Sequence, residues 1–154
     1  MEFPFAVVIQ WLSDFILPLV RVTSMMMIMA GLGAKSVPSR IKLALSIVIT
    51  FAAMPMLPKS QFTDLFSFAM VLVVIEEMII GFAIGFASML LLNTFIVAGQ
   101  ILAMQTGLGF ASVVDPANGL SVPAVGQFYL ILSTLLFFVF NGHLMMIQMV
   151  IYSF

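Results

Sequence analysis

Glu76 and Glu77 stand side by side within an apolar run, Val71-Leu-Val-Val-Ile-Glu-Glu-Met-Ile-Ile-Gly81. An ionised carboxylate in such a setting is costly, so by default it faces a cavity, a partner chain or a proton pathway. Together with Asp115 and His143, the two glutamates could form a relay carrying protons or a small solute between helices. Successive residues of a helix point about 100° apart, so the two carboxyls cannot share one narrow pocket. That geometry argues against a paired-carboxylate catalyst, which needs convergent groups. Asp115, Ser121 and His143 have the residue types of a hydrolytic triad. Ser121, however, lies in neither a G-x-S-x-G elbow nor an S-x-x-K pattern. No residues have metal-ligand spacing, and the chain contains no cysteine. The expectation is a non-enzyme without cofactor or metal.

A second group of residues makes demands of the backbone. Gln105-Thr-Gly-Leu-Gly-Phe-Ala-Ser-Val-Val-Asp-Pro-Ala-Asn-Gly-Leu-Ser-Val-Pro123 is polar and glycine-rich, and it lies between two long apolar blocks. Gly107, Gly109 and Gly119 allow positive φ and close approach, while Asp115-Pro116 and Asn118-Gly119 are turn signals. Leu108, Phe110, Val113 and Val114 favour burial. At membrane depth such backbone is tolerated only inside protein or a water-filled cavity. The stretch 105–122 therefore reads as a compact re-entrant loop or pore obstruction, with a tight surface connection as the plainer alternative.

The elements that must position these groups are helical. Apolar blocks predict four long helices in two hairpins, over about 5–31, 41–57, 64–104 and 123–154. The first block looks interrupted, because it carries Asp14, Pro18 and Arg21. Asp14 and Arg21 are two turns apart, on one face and about 10 Å from each other. Pro55 and Pro58 stop the second helix. Thr63 or Asp64 could cap the third. Forty helical residues would reach about 60 Å, twice a bilayer core. That helix must either break near Asn93 to Gly99 or sit unconventionally in a membrane. Gly81 and Gly85 form a G-x-x-x-G spacing that permits close helix approach. Pro123 suits the start of the fourth helix, which carries Asn141-Gly142-His143 near its end. His143 reads most simply as a packing residue, and Met25, Met26, Met27 and Met29, with Met145, Met146 and Met149, as helix filler, although a deformable seal is conceivable.

Composition sets the class. Of 154 residues 64% are apolar and 7% charged, with a mean hydropathy of +1.29, which marks an integral membrane protein. A net charge of -1 with five Lys plus Arg leaves no basic face for nucleic acid. Lys35, Arg40 and Lys42 fall in the connection 34–42, which by the positive-inside rule faces the cytoplasm. The start Met1-Glu-Phe-Pro-Phe5 lacks the positive region of a cleaved signal peptide, so the first apolar segment is expected to be retained.

The ordered set Gln105-x-Gly107-x-Gly109-Phe110-Ala111, Asp115-Pro116-x-Asn118-Gly119, Gln127-Phe128-Tyr129, Asn141-Gly142-His143-Leu144 and Ser153-Phe154 resembles the FliR family. FliR is the R subunit of the flagellar type III export gate and is related to the T subunit of virulence systems. The resemblance covers essentially the whole chain, and the Gly-Leu-Gly-Phe-Ala-Ser wording favours the flagellar branch. It implies an all-α membrane-type subunit in the bacterial inner membrane, within the basal body. The subunit would assemble with P-type and Q-type subunits (FliP, FliQ) and a B-type subunit (FlhB) into a conduit for unfolded export substrates. It further implies that the loop 105–121 plugs the pore through positions including Gln105, Gly107, Gly109, Phe110, Asp115, Pro116, Asn118 and Gly119. Glu76, Glu77, Gly81, Gly85, Asn141 and His143 are expected at subunit contacts or polar helix faces, with membrane lipid around. Family members usually continue with further apolar helices, so residues 1–154 are expected to be one helical domain forming the N-terminal part of a longer chain. The sequence also leaves open a small-solute or proton transporter, although no internal repeat supports one. An assembly subunit that lines no pore is the other alternative.

Overall fold

A computed structural model describes residues 5–31, 37–57, 67–108, 112–115 and 120–154. The described residues form five α-helices: α1 Phe5–Ile28, α2 Ser39–Ala53, α3 Phe68–Gln105, α4 Ala124–Val139 and α5 Gly142–Tyr152. Between α3 and α4 a short antiparallel ladder joins β1 Ser112–Asp115 to β2 Leu120–Pro123. Three helices are long and apolar enough to cross a membrane, or four if the bent pair α4 and α5 counts as one span.

The helix α1 is continuous through Pro18, contrary to the expected interruption. Proline removes only the donor that would serve the carbonyl of Asp14 four residues back. The helix α2 starts at Ser39, so Arg40 and Lys42 belong to its first turns and not to a connection, while Lys35 lies outside the described residues. A 3-10 turn over Met54–Met56, with Pro55 inside it, ends the segment as the prolines predict.

The helix α3 has 38 residues, about 57 Å at 1.5 Å per residue, and does not break between Asn93 and Gly99. Two local features keep it whole. Thr94 Oγ1 donates to Leu90 O at 3.0 Å, so its hydroxyl is satisfied within the helix. Gly99 faces Gly126 of α4, where a Cβ would come within 3.1 Å of the opposing Cα. The missing side chain there is a packing feature and not a weak point. Ser67 caps the helix, its Oγ accepting from Ala69 N–H at 3.3 Å, later than the expected start. Thr63 and Asp64 lie outside the described residues.

The expected fourth helix is divided. Phe140 and Asn141 interrupt it, and α4 and α5 meet at a bend of 60°. Asn141 takes the left-handed conformation (φ 55), which asparagine tolerates better than most residues.

α1 packs along both α2 and α3, and α3 also carries α4. The principal core is small and sulfur-rich: Val22, Met25 and Met26 of α1, with Met29 just past its end, meet Met146 and Val150 of α5, with Ile84 and Phe137 against them. Filler is therefore what Met25, Met26 and Met29 provide, while Met27 points outward. In α2 the inside and outside are reversed relative to a water-soluble helix. Lys42, Ser46, Thr50 and Ala53 are buried, whereas Ile41, Leu45, Val48 and Phe51 are exposed.

Candidate functional site

The two glutamates have different fates, as a 100° separation requires. Glu76 is exposed on α3. Glu77 turns inward and meets Arg21 of α1 in a two-pronged ion pair. Arg21 Nε and Nη2 donate to the two carboxylate oxygens, the Nη2 bond at 2.7 Å. The side chains are 5% and 12% exposed. A guanidinium suits this place because its planar fork matches a carboxylate and its weak hydration lowers the cost of burial. Its remaining edge is also used: Nη1 donates to Ser153 O and Ser153 Oγ, both at 2.8 Å. The ring of Phe154 lies beneath, 3.7 Å from its centroid to the Arg21 Cζ. The partners of Arg21 thus come from α3 and from the end of α5, and the polar surface expected between Asp14 and Arg21 is not where the guanidinium is spent.

Gly81 and Gly85 bring α3 close enough for that pair to form. A Cβ on Gly81 would lie 2.0 Å from Ser24 Oγ and 2.2 Å from Arg21 O, and one on Gly85 would lie 2.7 Å from Met25 O. The G-x-x-x-G spacing therefore seats α3 on the backbone of α1, within one chain. One turn on, Ser88 Oγ accepts from Ala30 N–H at 3.1 Å and donates to Gly85 O at 2.7 Å, so the buried N–H just past the end of α1 finds its acceptor on a neighbouring helix. Sequence reasoning missed Ser88 and the pairing of Arg21 with Glu77. The seven-residue spacing of Gly81 to Ser88, two turns along the Gly81/Gly85 stripe, was the available signal for Ser88.

Within 105–122 the described residues, 105–108, 112–115 and 120–122, are more regular than a loop. α3 ends at Gln105, and Thr106 follows as its cap, its Oγ1 donating to Leu102 O at 2.8 Å. Gly107 then takes φ 75 while its N–H reaches Met104 O, the left-handed ending that favours glycine. A Cβ there would touch nothing within 4 Å, so backbone conformation alone sets the requirement. Beyond it Val113 pairs with Val122 and Val114 with Ser121 across the ladder. The expected loop is thus a β-hairpin, because Val-Val and Ser-Val flank the turn signals of 116–119 with strand-forming residues. Pro123 ends β2 and does not open α4. Gly109, Phe110, Pro116, Asn118 and Gly119 lie outside the described residues.

The hydrolytic constellation is not assembled. Asp115 pairs in register with Leu120, not Ser121, and the 16 residues of α4, about 24 Å, separate the ladder from α5 where His143 lies. Nor is the relay continuous. Gln105, where α3 ends, is about 42 Å along the axis from Glu77. The His143 ring lies 5.2 Å from that of Phe138, and its Nδ1 is enclosed without a hydrogen-bond partner. Among the described residues no group of three or more His, Cys, Asp or Glu could hold a metal ion.

Arg21, the Gly81/Gly85 seam and the hairpin all fall within residues 12–154, which match the profile of a family described as "Bacterial export proteins, family 1". The chain belongs to this family, that of FliR. Flagellar biosynthetic protein FliR of Escherichia coli (strain K12) is 37% identical over 146 residues, covering 95% of this chain and 56% of that protein. FliR of Pectobacterium carotovorum subsp. carotovorum is 34% identical over 146 residues, with the same shares of 95% and 56%. FliR of Buchnera aphidicola subsp. Acyrthosiphon pisum (strain APS) is 32% identical over 143 residues, 93% of this chain and 55% of the relative. The chain thus spans a little over half the length of the curated FliR relatives it matches. Within the family frame, three or four membrane-type helices accord with a membrane location.

Proposed function

We propose that this chain is a subunit of the flagellar protein-export gate in the bacterial inner membrane, at the basal body. It forms part of the conduit for unfolded substrates, with segment 105–122 as a plug. Membership of the export family carries this reading, since the relatives are named flagellar biosynthetic proteins. The hairpin supports the plug. It lies between the end of α3 and the start of α4, and its ladder pairs its own backbone groups, so the segment can sit at membrane depth inside protein or a water-filled lumen. An isolated two-stranded ladder is only marginally stable in water, so this one can be displaced without unfolding the helices. Passage between shut and open then needs a difference of only a few kcal/mol between states.

The partners in this reading are the P-type and Q-type subunits FliP and FliQ, with the B-type subunit FlhB at the cytoplasmic side. The exposed face of α3, where Glu76 sits among Leu72, Ile75 and Ile79, is the surface offered to them, with lipid elsewhere. The transporter alternative loses support because Glu77 is committed to Arg21 and no continuous path leads from it to Asp115. Two measurements test the proposal. Tagged protein extracted in mild detergent is expected to bring P-type and Q-type chains with it, and a monomer or homodimer would overturn the assembly. Deleting residues 107–119 is expected to make cells leak ions through the gate, and unchanged conductance would remove the plug role.

A further inference from the structure

We propose that Arg21 is a latch holding α5, a hinged segment that can swing away while α1 and α3 stay together. The inference stands on the described helices and does not depend on the export reading. The two ends of α5 are built differently. Its start is a joint: Asn141 at φ 55 precedes Gly142, and the axis turns by 60° from α4. Its far end is held by Arg21, with Nη1 on the carbonyl and hydroxyl of Ser153 and the guanidinium over the ring of Phe154, and by the packing of Phe154 and Ile147 against the core. Between joint and pin, Met146 and Val150 are the α5 residues that enter the core.

The same guanidinium is oriented by Glu77, so its fork is divided between α3 and α5. Glu77 neutralises the charge and fixes the plane, while Ser153 and Phe154 receive what remains. Contact between α1 and α3 has separate supports in Gly81, Gly85 and Ser88, none of which involves α5. Loss of the Arg21 orientation therefore frees α5 at its pinned end and leaves the helix pair beneath intact. Release uncovers the face of α1 that carries Met25 and Met26, with Met29 just past its end, an apolar surface closed off in the latched position. Arg21 is thus a positioning residue whose effect is read on α5.

Residues 1–154 contain no cysteine, and any cysteine elsewhere in the full-length protein is replaced by serine first, so that single-cysteine accessibility reports on α5. Val150→Cys, 0% exposed, is labelled with a membrane-permeant maleimide in the full-length protein in its own membranes, beside Met149→Cys as exposed reference and Ser88→Cys as a reporter of the α1 and α3 contact. In Glu77→Gln and, separately, in Phe154→Ala, labelling of Val150→Cys is expected to rise by about tenfold or more towards the Met149→Cys rate, from loss of the charge-oriented hold. Ser88→Cys is expected to stay protected. Phe154→Ala leaves the ion pair in place, so it keeps the test open if Glu77→Gln fails to accumulate. Continued protection of Val150→Cys in the variants that accumulate overturns the latch. Joint labelling of Val150→Cys and Ser88→Cys also overturns it, because Arg21 would then be a general support of the core.

Discussion

Gly81→Ala adds one methyl group at the tightest point of the molecule. The built Cβ lies 2.0 Å from Ser24 Oγ and 2.2 Å from Arg21 O, against an ordinary contact of 3.4 Å or more. Ser24 could rotate at the loss of its bond to Arg21 O, 2.9 Å at present, but the carbonyl of Arg21 is backbone and cannot. α1 and α3 must therefore separate by about 1 Å, which strains the ion pair one turn away. Overpacking of this kind costs about 1–3 kcal/mol, and alanine returns about 0.5–1 kcal/mol as a better helix former than glycine. The net loss expected is about 1 kcal/mol, with an ordered series behind it. Gly85→Ala, whose nearest atom is Met25 O at 2.7 Å, loses less. Gly99→Ala meets the ring of Tyr129 at 2.9 Å, a side chain that can yield, and the Gly126 Cα at 3.1 Å, which need shift only slightly, and loses least. Thermal unfolding of the purified full-length protein in detergent, followed by loss of the monodisperse peak, gives the order directly. A Gly81→Ala protein as stable as Gly99→Ala would refute the claim that the α1 and α3 backbones touch at Gly81.

Glu77→Gln leaves the Arg21 charge buried without its carboxylate and is expected to lower stability by about 3 kcal/mol, whereas Glu76→Gln, on an exposed position, shifts it by less than about 0.5 kcal/mol. Melting of both variants checks this, with co-purification of partner chains measured alongside; equal losses would contradict the assignment of Glu77 as the inward residue. Ser88→Ala strips Ala30 N–H of its acceptor and is expected to cost about 1–3 kcal/mol, with Ser88→Thr as a partial rescue if the added methyl is accommodated. Faster hydrogen exchange at Ala30 in the alanine variant is the local signature, and an unchanged rate would show that the cross-helix cap is not formed.

The first three helices were legible to within a few residues because apolar blocks of this length allow little else, and Pro55 marked where α2 ends, whereas the fourth block holds two helices and not one. The break at Asn141 was harder to read. Asn-Gly is a turn signal, but the apolar residues on both sides continue without a change of period, and only the left-handed backbone of Asn141 separates α4 from α5. At Asn93 to Gly99 the length of the block left two readings, a break or an unconventional seat in a membrane, and the unbroken α3 removes the first: the Thr94 hydroxyl is satisfied by Leu90 and Gly99 packs against α4. The site shows a similar division. The 100° rule separated Glu76 from Glu77 correctly, but nothing local says that Glu77 meets Arg21, 56 residues away. Long-range pairing of this kind depends on which faces Gly81 and Gly85 bring together, and G-x-x-x-G names no partner.

The arrangement of polar and apolar groups bears on how such a chain is housed. Ser13, Arg21, Lys42, Ser46, Thr50, Ser88 and Ser133 are buried, while the large apolar side chains of α3 point outward along its whole length. Hydrocarbon could cover some of that surface but not all of it. Even tilted by 40°, a helix of about 57 Å projects about 44 Å on the membrane normal, against a core of about 30 Å. At least about 14 Å of that projection stands clear of the acyl chains. Both ends are apolar: Phe68, Val71 and Leu72 are exposed at the start, and Ile101, Leu102 and Met104 at the finish. Whichever end protrudes presents a cluster of large hydrophobic side chains that water would penalise at about 25 cal/mol per Å². The length of α3 and its largely apolar surface are therefore mutually consistent only if protein, whether further residues of the same chain or a neighbouring subunit, covers the part that lipid cannot.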